Sequence, residues 1–211
     1  VVSDSTLTFY HSPRTRSAGT FMLLEELGVP YNLKVLDMQA GEQRQPEYLA
    51  INPMGKVPAI SHNGALITEQ IAIFIYLADA FPEAGLAPAL GDPLRGPYLR
   101  WMAFYAGCFE PAVADRALKR EPGPQGMLGY GDFDSMLATL VAQLAAGPYV
   151  LGARFSALDV LWGSALRWTT HFKIVPELPE IKRHLEAFNA RPAVRKVVAE
   201  DAALLAAQGN S

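Results

Sequence analysis

Residues 56–78 read KVPAISHNGALITEQIAIFIYLA, from Lys56 to Ala78, and the rest of the chain is placed outward from them. Val57-Pro58-Ala59-Ile60 has the length and apolar character of a short strand. Asn63-Gly64 is a strong hairpin-turn signal, and Ala65-Leu66-Ile67 supplies the returning strand. Thr68-Glu69-Gln70 then leads into a strongly apolar helix from Ile71 onward. Pro58 has no N–H to give to a ladder, so it leaves one backbone position of its strand disrupted. Glu69 places a carboxylate at a helix start, where unpaired backbone N–H groups favour negative charge. A disrupted strand beside an acidic helix N-terminus is expected to hold an extended peptide that carries a free amine.

Upstream of this stretch, Leu7–Tyr10 is a first strand. HSPRTRS is a loop that turns into a helix over Thr15–Leu27, with Phe21, Leu23, Leu24 and Leu27 apolar and Gly28 ending it. Tyr31–Leu36 alternates as a second strand, Gln45–Ala50 is a short helix, and Asn52-Pro53-Met54-Gly55 is a turn. The order over residues 1–80 is therefore βαβ, a connecting helix, then ββα. Downstream the strand signal stops. Phe81–Pro97 is rich in proline and glycine with little periodicity, and residues 81–92 are taken as a linker. Residues 93–211 are expected to be all helical. Arg95–Leu118 is a long helix bent near Gly107 or Pro111, Glu121–Gly126 is a breaker, and Phe133–Ala146 is a helix closed by Gly147-Pro148. Phe155-Ser156-Ala157-Leu158-Asp159 carries a capping box, with Asp in place of the commoner Glu, for a helix that runs to about Phe172. Pro179–Ala190 and Pro192–Ala207 follow, each with proline near its start.

Half of the 211 residues are hydrophobic, enough for a sizeable core without staples. The net charge of −3 and the lack of any Lys/Arg-rich run argue against a nucleic-acid partner. The lone Cys108, read as a core residue, excludes an intrachain disulfide and fits a reducing, cytoplasmic setting. VVSDSTLTF has neither a basic n-region nor a long apolar core, so no signal peptide is expected. No run reaches the roughly 18 apolar residues of a membrane span, so no membrane partner is expected. His11, His62, His171 and His184 have no metal-ligand spacing, and no metal is expected.

A βαβ–ββα domain followed by an all-helical domain resembles the cytosolic glutathione transferases. NPMGKVPAI looks like that family's strand with its cis-proline, here Pro58. TEQIAI stands where the family has Glu-Ser-x-A-I, and PYVLG with FSALD looks like its helical-domain capping segment. The resemblance covers Leu7 to about Ala207, with bacterial, theta-, nu- and beta-like members as the nearest pattern. It implies a thioredoxin-like first domain that binds glutathione, a helical domain over an electrophilic co-substrate, a homodimer and a detoxifying role. On it, the backbone of Val57 pairs with the cysteinyl unit and Glu69 accepts from the γ-glutamyl ammonium. Gln70, with the N–H groups around it, takes the γ-glutamyl carboxylate. Gln70 departs from the family's Ser or Thr. Lys56, Arg44 and Gln43 are candidates for the glycyl carboxylate. Without the resemblance, Pro58 reads as an ordinary edge-strand proline and Glu69 as a capping charge.

A thiol with an ordinary pKa of roughly 8.5 holds little thiolate at neutral pH, so a transferase must stabilise that anion. Family classes do so with Tyr, Ser or Cys just after the first strand. The beta-like cysteine aligns here with Arg16, so cysteine chemistry is not expected. Thr15 is the first candidate, Ser12 the second, and Arg16 adds a positive field. Tyr10 and Ser17 are further hydroxyls. Ser and Thr in front of a helix also serve simply as caps. Trp101, Tyr105 and Phe109 share a helical face, which is either core or a wall of the electrophile site. Three functions stay open: conjugation of glutathione to a hydrophobic electrophile, glutathione-dependent disulfide or peroxide reduction, and a non-catalytic binding protein.

Overall fold

A computed structural model describes residues 7–121 and 123–209. Most of the N-terminal stretch read for a leader lies outside the described residues, as does Pro122 of the expected breaker. The strands are β1 (Thr8–His11), β2 (Asn32–Val35), β3 (Ala59–His62) and β4 (Ala65–Ile67). The helices are α1 (Ser17–Leu27), α2 (Pro46–Leu49), α3 (Gln70–Ala80), α4 (Arg95–Phe104), α5 (Glu110–Ala117), α6 (Phe133–Ala145), α7 (Ala157–His171), α8 (Pro179–Asn189) and α9 (Pro192–Gln208). Two compact units result. One takes the described residues of Val1–Ala84 and Pro192–Ser211, the other Gly85–Arg191. Among the described residues no helix is long and apolar enough to cross a membrane.

The first unit is the thioredoxin-like βαβ–ββα arrangement that the motifs imply. Its sheet runs β2-β1-β3-β4. β1 is parallel to β2 and antiparallel to β3, with Phe9 opposite Ile60. β3 and β4 form the hairpin through Asn63-Gly64, with His62 opposite Ala65. Phe9 and Ile60 are fully buried at the centre of the sheet. The strand expected from Val57 begins two residues later, at Ala59. The Val57–Pro58 peptide is cis, and the Lys56 carbonyl just before it is taken by side chains rather than by a strand.

Helix α1 begins at Ser17, not Thr15. Arg14 occupies the left-handed region at φ 58°, so residues 13–16 form a turn and not a first helical turn. α1 is buried nearly all round, including Phe21, Met22, Leu23, Leu24 and Leu27. A helix apolar on every side needs cover on every side. The sheet and α3 cover part of it, and α9 covers the rest. α9 turns Val194 and Val197 inward, and Lys196 Nζ lies 2.7 Å from Glu25 Oε2 on α1. The limits 1–80, 81–92 and 93–211 therefore need correction: the last helix belongs with the first domain, and the first unit extends to Ala84.

The second unit is helical throughout α4–α8, as expected. The long helix is interrupted by a π-helical turn, Tyr105–Phe109, at the place where a bend was expected. Pro111 has no N–H to return to the preceding turn, which widens by a residue in front of it. Trp162 on α7 is fully buried and gathers Trp101, Tyr105 and Phe109 at centroid distances of 5.8, 5.4 and 5.0 Å. The capping box forms: Ser156 N–H donates to Asp159 Oδ2 (2.8 Å), and Ser156 Oγ accepts from Leu158 N–H (3.3 Å), one residue ahead of Asp159. Gly163 permits close packing of α7 on α8, since a Cβ there would lie 2.3 Å from the Phe188 ring.

Candidate functional site

Three loops of the first unit carry the residues singled out in the sequence. The first runs from His11 to Ser17, between β1 and α1. Ser12 is buried, Thr15 is half-buried and Arg16 is exposed. Thr15 Oγ1 lies 2.6 Å from Ser17 Oγ, donates to the Ser12 carbonyl (2.7 Å) and accepts from Ser17 N–H (3.2 Å). Of the hydroxyls at positions 12, 15 and 17, Thr15 is the one with solvent exposure, whereas Ser12 and Ser17 are buried. Tyr10 is half-buried and its ring packs against Tyr48, 5.8 Å between centroids.

The second loop is 52–58. Tyr48 Oη (2.6 Å) and Asn52 Nδ2 (2.9 Å) both donate to the Lys56 carbonyl, and Asn52 Oδ1 accepts from Met54 N–H (3.1 Å). These bonds fix the chain immediately ahead of Val57, which is half-buried. Burial, with Tyr10 nearby, pushes the Tyr48 hydroxyl up to about 12, so it stays protonated and remains a donor. Gly55 sits at φ 60°, and a Cβ there would lie 2.8 Å from the Gln43 carbonyl. Lys56 is exposed. The Gln43 amide donates to the Met38 carbonyl (3.3 Å), and Arg44 Nη1 donates to the Met54 carbonyl (3.4 Å). Both side chains thus support the loop.

The third loop is the start of α3. Glu69 is exposed at φ 64°, ψ 113°, a region that a residue with a Cβ enters only at a cost. Its carbonyl accepts from Ile73 N–H, so the helix begins directly behind it. The neighbouring Gln70 turns its amide to the Arg16 carbonyl (3.0 Å) and so ties the start of α3 to the start of α1. Ser or Thr at this position is too short for that bond.

Trp101, Tyr105 and Phe109 do not form an open face. They are 1 %, 3 % and 0 % exposed and belong to the core around Trp162. The solvent side of this stretch is small, at Ala103, Ala106 and Gly107, with half-exposed Phe104 beside them. Cys108, expected in the core, is half-exposed as well. Among the described residues no group of three or more His, Cys, Asp or Glu side chains is placed to hold a metal ion.

Residues that the sequence reading did not assign to the site also stand in it. His11 Nδ1 lies 2.8 Å from Ser17 Oγ, and His11 Nε2 lies 2.8 Å from Asp201 Oδ1 on α9. Arg14 N–H donates to Asp201 Oδ2 (3.4 Å). His11 follows the strand alternation that buries Phe9, which is a readable signal. Asp201 falls four residues after Val197, on the buried stripe of α9, and a carboxylate on such a stripe is a signal too.

A four-stranded thioredoxin-like unit with a cis-proline before β3 and a carboxylate at the start of α3, followed by a helical unit, defines the class of the cytosolic glutathione transferases. The family model "Glutathione S-transferase, N-terminal domain" matches residues 5–79. A glutathione S-transferase of Arabidopsis thaliana is 30 % identical over 159 residues, covering 74 % of this chain and 73 % of its own. The disulfide-bond oxidoreductase YfcG of Escherichia coli is 26 % identical over 201 residues, covering 89 % and 92 %. Among solved structures, a glutathione transferase homologue from Sulfitobacter with bound glutathione is 29 % identical. It has a TM-score of 0.76 and covers 93 % of this chain and 98 % of its own. The chain belongs to the glutathione S-transferase family.

Proposed function

We propose that the protein is a glutathione transferase that stabilises the glutathione thiolate and directs it at a hydrophobic electrophile. The observation that carries this reading is Glu69. Its carboxylate is exposed at the head of a helix, on a backbone held at positive φ, and strain of that kind persists where the surroundings require it. In this reading Glu69 accepts from the γ-glutamyl ammonium, and the N–H groups at the start of α3 take the neighbouring carboxylate. Gln70 acts by joining that helix start to the thiol loop. Val57 offers its backbone to the cysteinyl unit next to the cis-Pro58. Lys56 supplies charge for the glycyl carboxylate, with Gln43 and Arg44 holding the loop beneath it. Thr15 donates to the sulfur, Arg16 adds a positive field, and Ser12 serves through its backbone carbonyl. Trp101, Tyr105 and Phe109 hold the helical unit rigid and do not touch the electrophile. The cytoplasmic homodimer usual for the family belongs to the same reading.

Calorimetry with glutathione and with S-methylglutathione, followed by conjugation of an aryl halide, tests it. Tight binding with turnover is expected, and no binding of either ligand would refute it. A second reading, glutathione-dependent disulfide reduction, is favoured by the likeness to the disulfide-bond oxidoreductase. It needs no protein cysteine when two glutathiones take part. Turnover with a mixed disulfide and none with the halide would select it.

A further inference from the structure

Loop 11–17 and helix α9 together place four side chains in a line. Asp201 Oδ1 is 2.8 Å from His11 Nε2, His11 Nδ1 is 2.8 Å from Ser17 Oγ, and Ser17 Oγ is 2.6 Å from Thr15 Oγ1. The two ends, Thr15 and Asp201, are half-buried, while Ser17 and His11 between them are fully buried. His11 Nε2 and Asp201 Oδ1 have no other hydrogen-bond partner among the described residues, so each is left to the other. The imidazole is otherwise flanked by the Phe9 and Phe21 rings, 5.5 and 5.2 Å between centroids. The cation nearest along α9, Lys196, is engaged by Glu25.

A carboxylate has no proton to offer, so the ring nitrogen facing Asp201 carries one. In the neutral ring Nδ1 is then an acceptor, and Ser17 donates to it. Ser17 Oγ in turn accepts from the Ser12 N–H at 3.2 Å, and the one Thr15 proton can turn from the Ser12 carbonyl (2.7 Å) to Ser17 Oγ (2.6 Å). Thr15 keeps a lone pair for a group arriving from solvent, and the Ser12 carbonyl offers its proton a resting place.

We propose that Thr15, Ser17, His11 and Asp201 form a relay that takes the proton of a thiol bound at Thr15 and stores it on His11. The inference rests on the reading of Thr15 as the thiol contact. The S–H bond breaks as an O–H bond forms at Thr15. Thr15 passes its own proton to Ser17, and Ser17 passes its proton to His11 Nδ1. The products are a thiolate hydrogen-bonded by Thr15 and an imidazolium facing Asp201, and no proton leaves for solvent. The two hydroxyls and the histidine extend the logic of a nucleophile–base–orienter set by one hydroxyl. His11, Ser17 and Asp201 are positioning and proton-holding residues, and none of them touches the sulfur.

The test uses the full-length protein labelled with 15N at histidine. On adding glutathione at neutral pH, the thiolate absorbance should appear and the His11 ring signals should move from neutral to imidazolium positions. S-methylglutathione, which binds without a thiol, should leave His11 neutral. Asp201→Asn should bind S-methylglutathione as the wild type does, while its bound thiolate fraction falls on the order of tenfold. Thiolate formation with His11 still neutral overturns the relay, and so does an Asp201→Asn protein with an unchanged thiolate fraction. Glutathione that binds without forming thiolate overturns the relay but leaves the binding site standing. Failure of both ligands to bind removes the site and the relay with it. The wild-type signals decide the matter even if Asp201→Asn does not fold.

Discussion

Glu69 occupies φ 64°, ψ 113° directly before α3, and its side chain is open to solvent. Two substitutions separate its backbone role from its charge. Glu69→Gly relieves a conformation that costs on the order of 1–3 kcal/mol, so its unfolding midpoint should rise in a denaturant titration. Glu69→Ala keeps the strain. Both should lose glutathione affinity by on the order of tenfold or more, since a charged hydrogen-bond partner is removed, and calorimetry would measure it. An unchanged affinity in both would take the carboxylate out of the site. Thr15→Ala should lower conjugation on the order of 10²-fold by removing one donor to the developing anion, with S-methylglutathione binding preserved. Glu69, Thr15 and Pro58, in the roles proposed for them, are legible in sequence because each would act where it stands, at a helix start, before a helix or ahead of a strand. Asp201 is legible only as a carboxylate on the buried stripe of α9, because its meeting with His11 spans the fold and no local pattern encodes that distance.

At the scale of elements, the capping box of α7 is the feature the sequence conveys most fully. Ser156 and Asp159 are three residues apart, and the reciprocal bonds they make are local. Ser156→Ala should cost about 1–2 kcal/mol of stability by thermal unfolding. Asp159 is held up to about 6 by burial, against which its backbone and Ser156 hydrogen bonds work. His184 on α8, buried against the backbone of Asp159 and Pro148, is held down to about 4 for the same reason. Between these values the folded chain keeps a proton on Asp159 that the unfolded chain has released, so raising the pH lowers stability. Over the same range the unfolded chain carries a proton on His184 that the folded chain refuses, so raising the pH raises stability. The two contributions, each on the order of 3 kcal/mol, oppose each other. The wild-type unfolding free energy should therefore change little on their account between pH 4 and 6. His184→Gln should instead lose stability steadily as the pH rises through that window. The Trp101, Tyr105 and Phe109 stripe was ambiguous in sequence because a helical face looks the same whether it meets a core or a ligand. Burial around Trp162 resolves it toward core. The π-helical turn was visible only as a proline and a glycine in a long helix. Its extra residue follows from the N–H that Pro111 lacks, and neither signal alone tells a bend from a widened turn.

At the scale of the molecule, the βαβ–ββα order and the helical remainder were legible because the hydrophobic period changes between them. The membership of α9 was not. A helix next to other helices in sequence reads as one of them, and only the all-round burial of α1 shows that a cover is missing from residues 1–84. A chain ended after Arg191 should expose α1, unfold at a lower denaturant concentration and bind hydrophobic dyes. An α9 peptide added in trans should reverse part of that change.

The same arrangement has a consequence for synthesis. A ribosome releases this protein from its first residue to its last, yet the unit that begins first requires Pro192–Gln208 to close. The helical unit, contiguous over 85–191, emerges whole before that closure. Order of birth and order of completion are thus reversed. The nascent first unit waits, with one side of α1 bare, until α9 has been made, and that interval is when the chain most needs a chaperone.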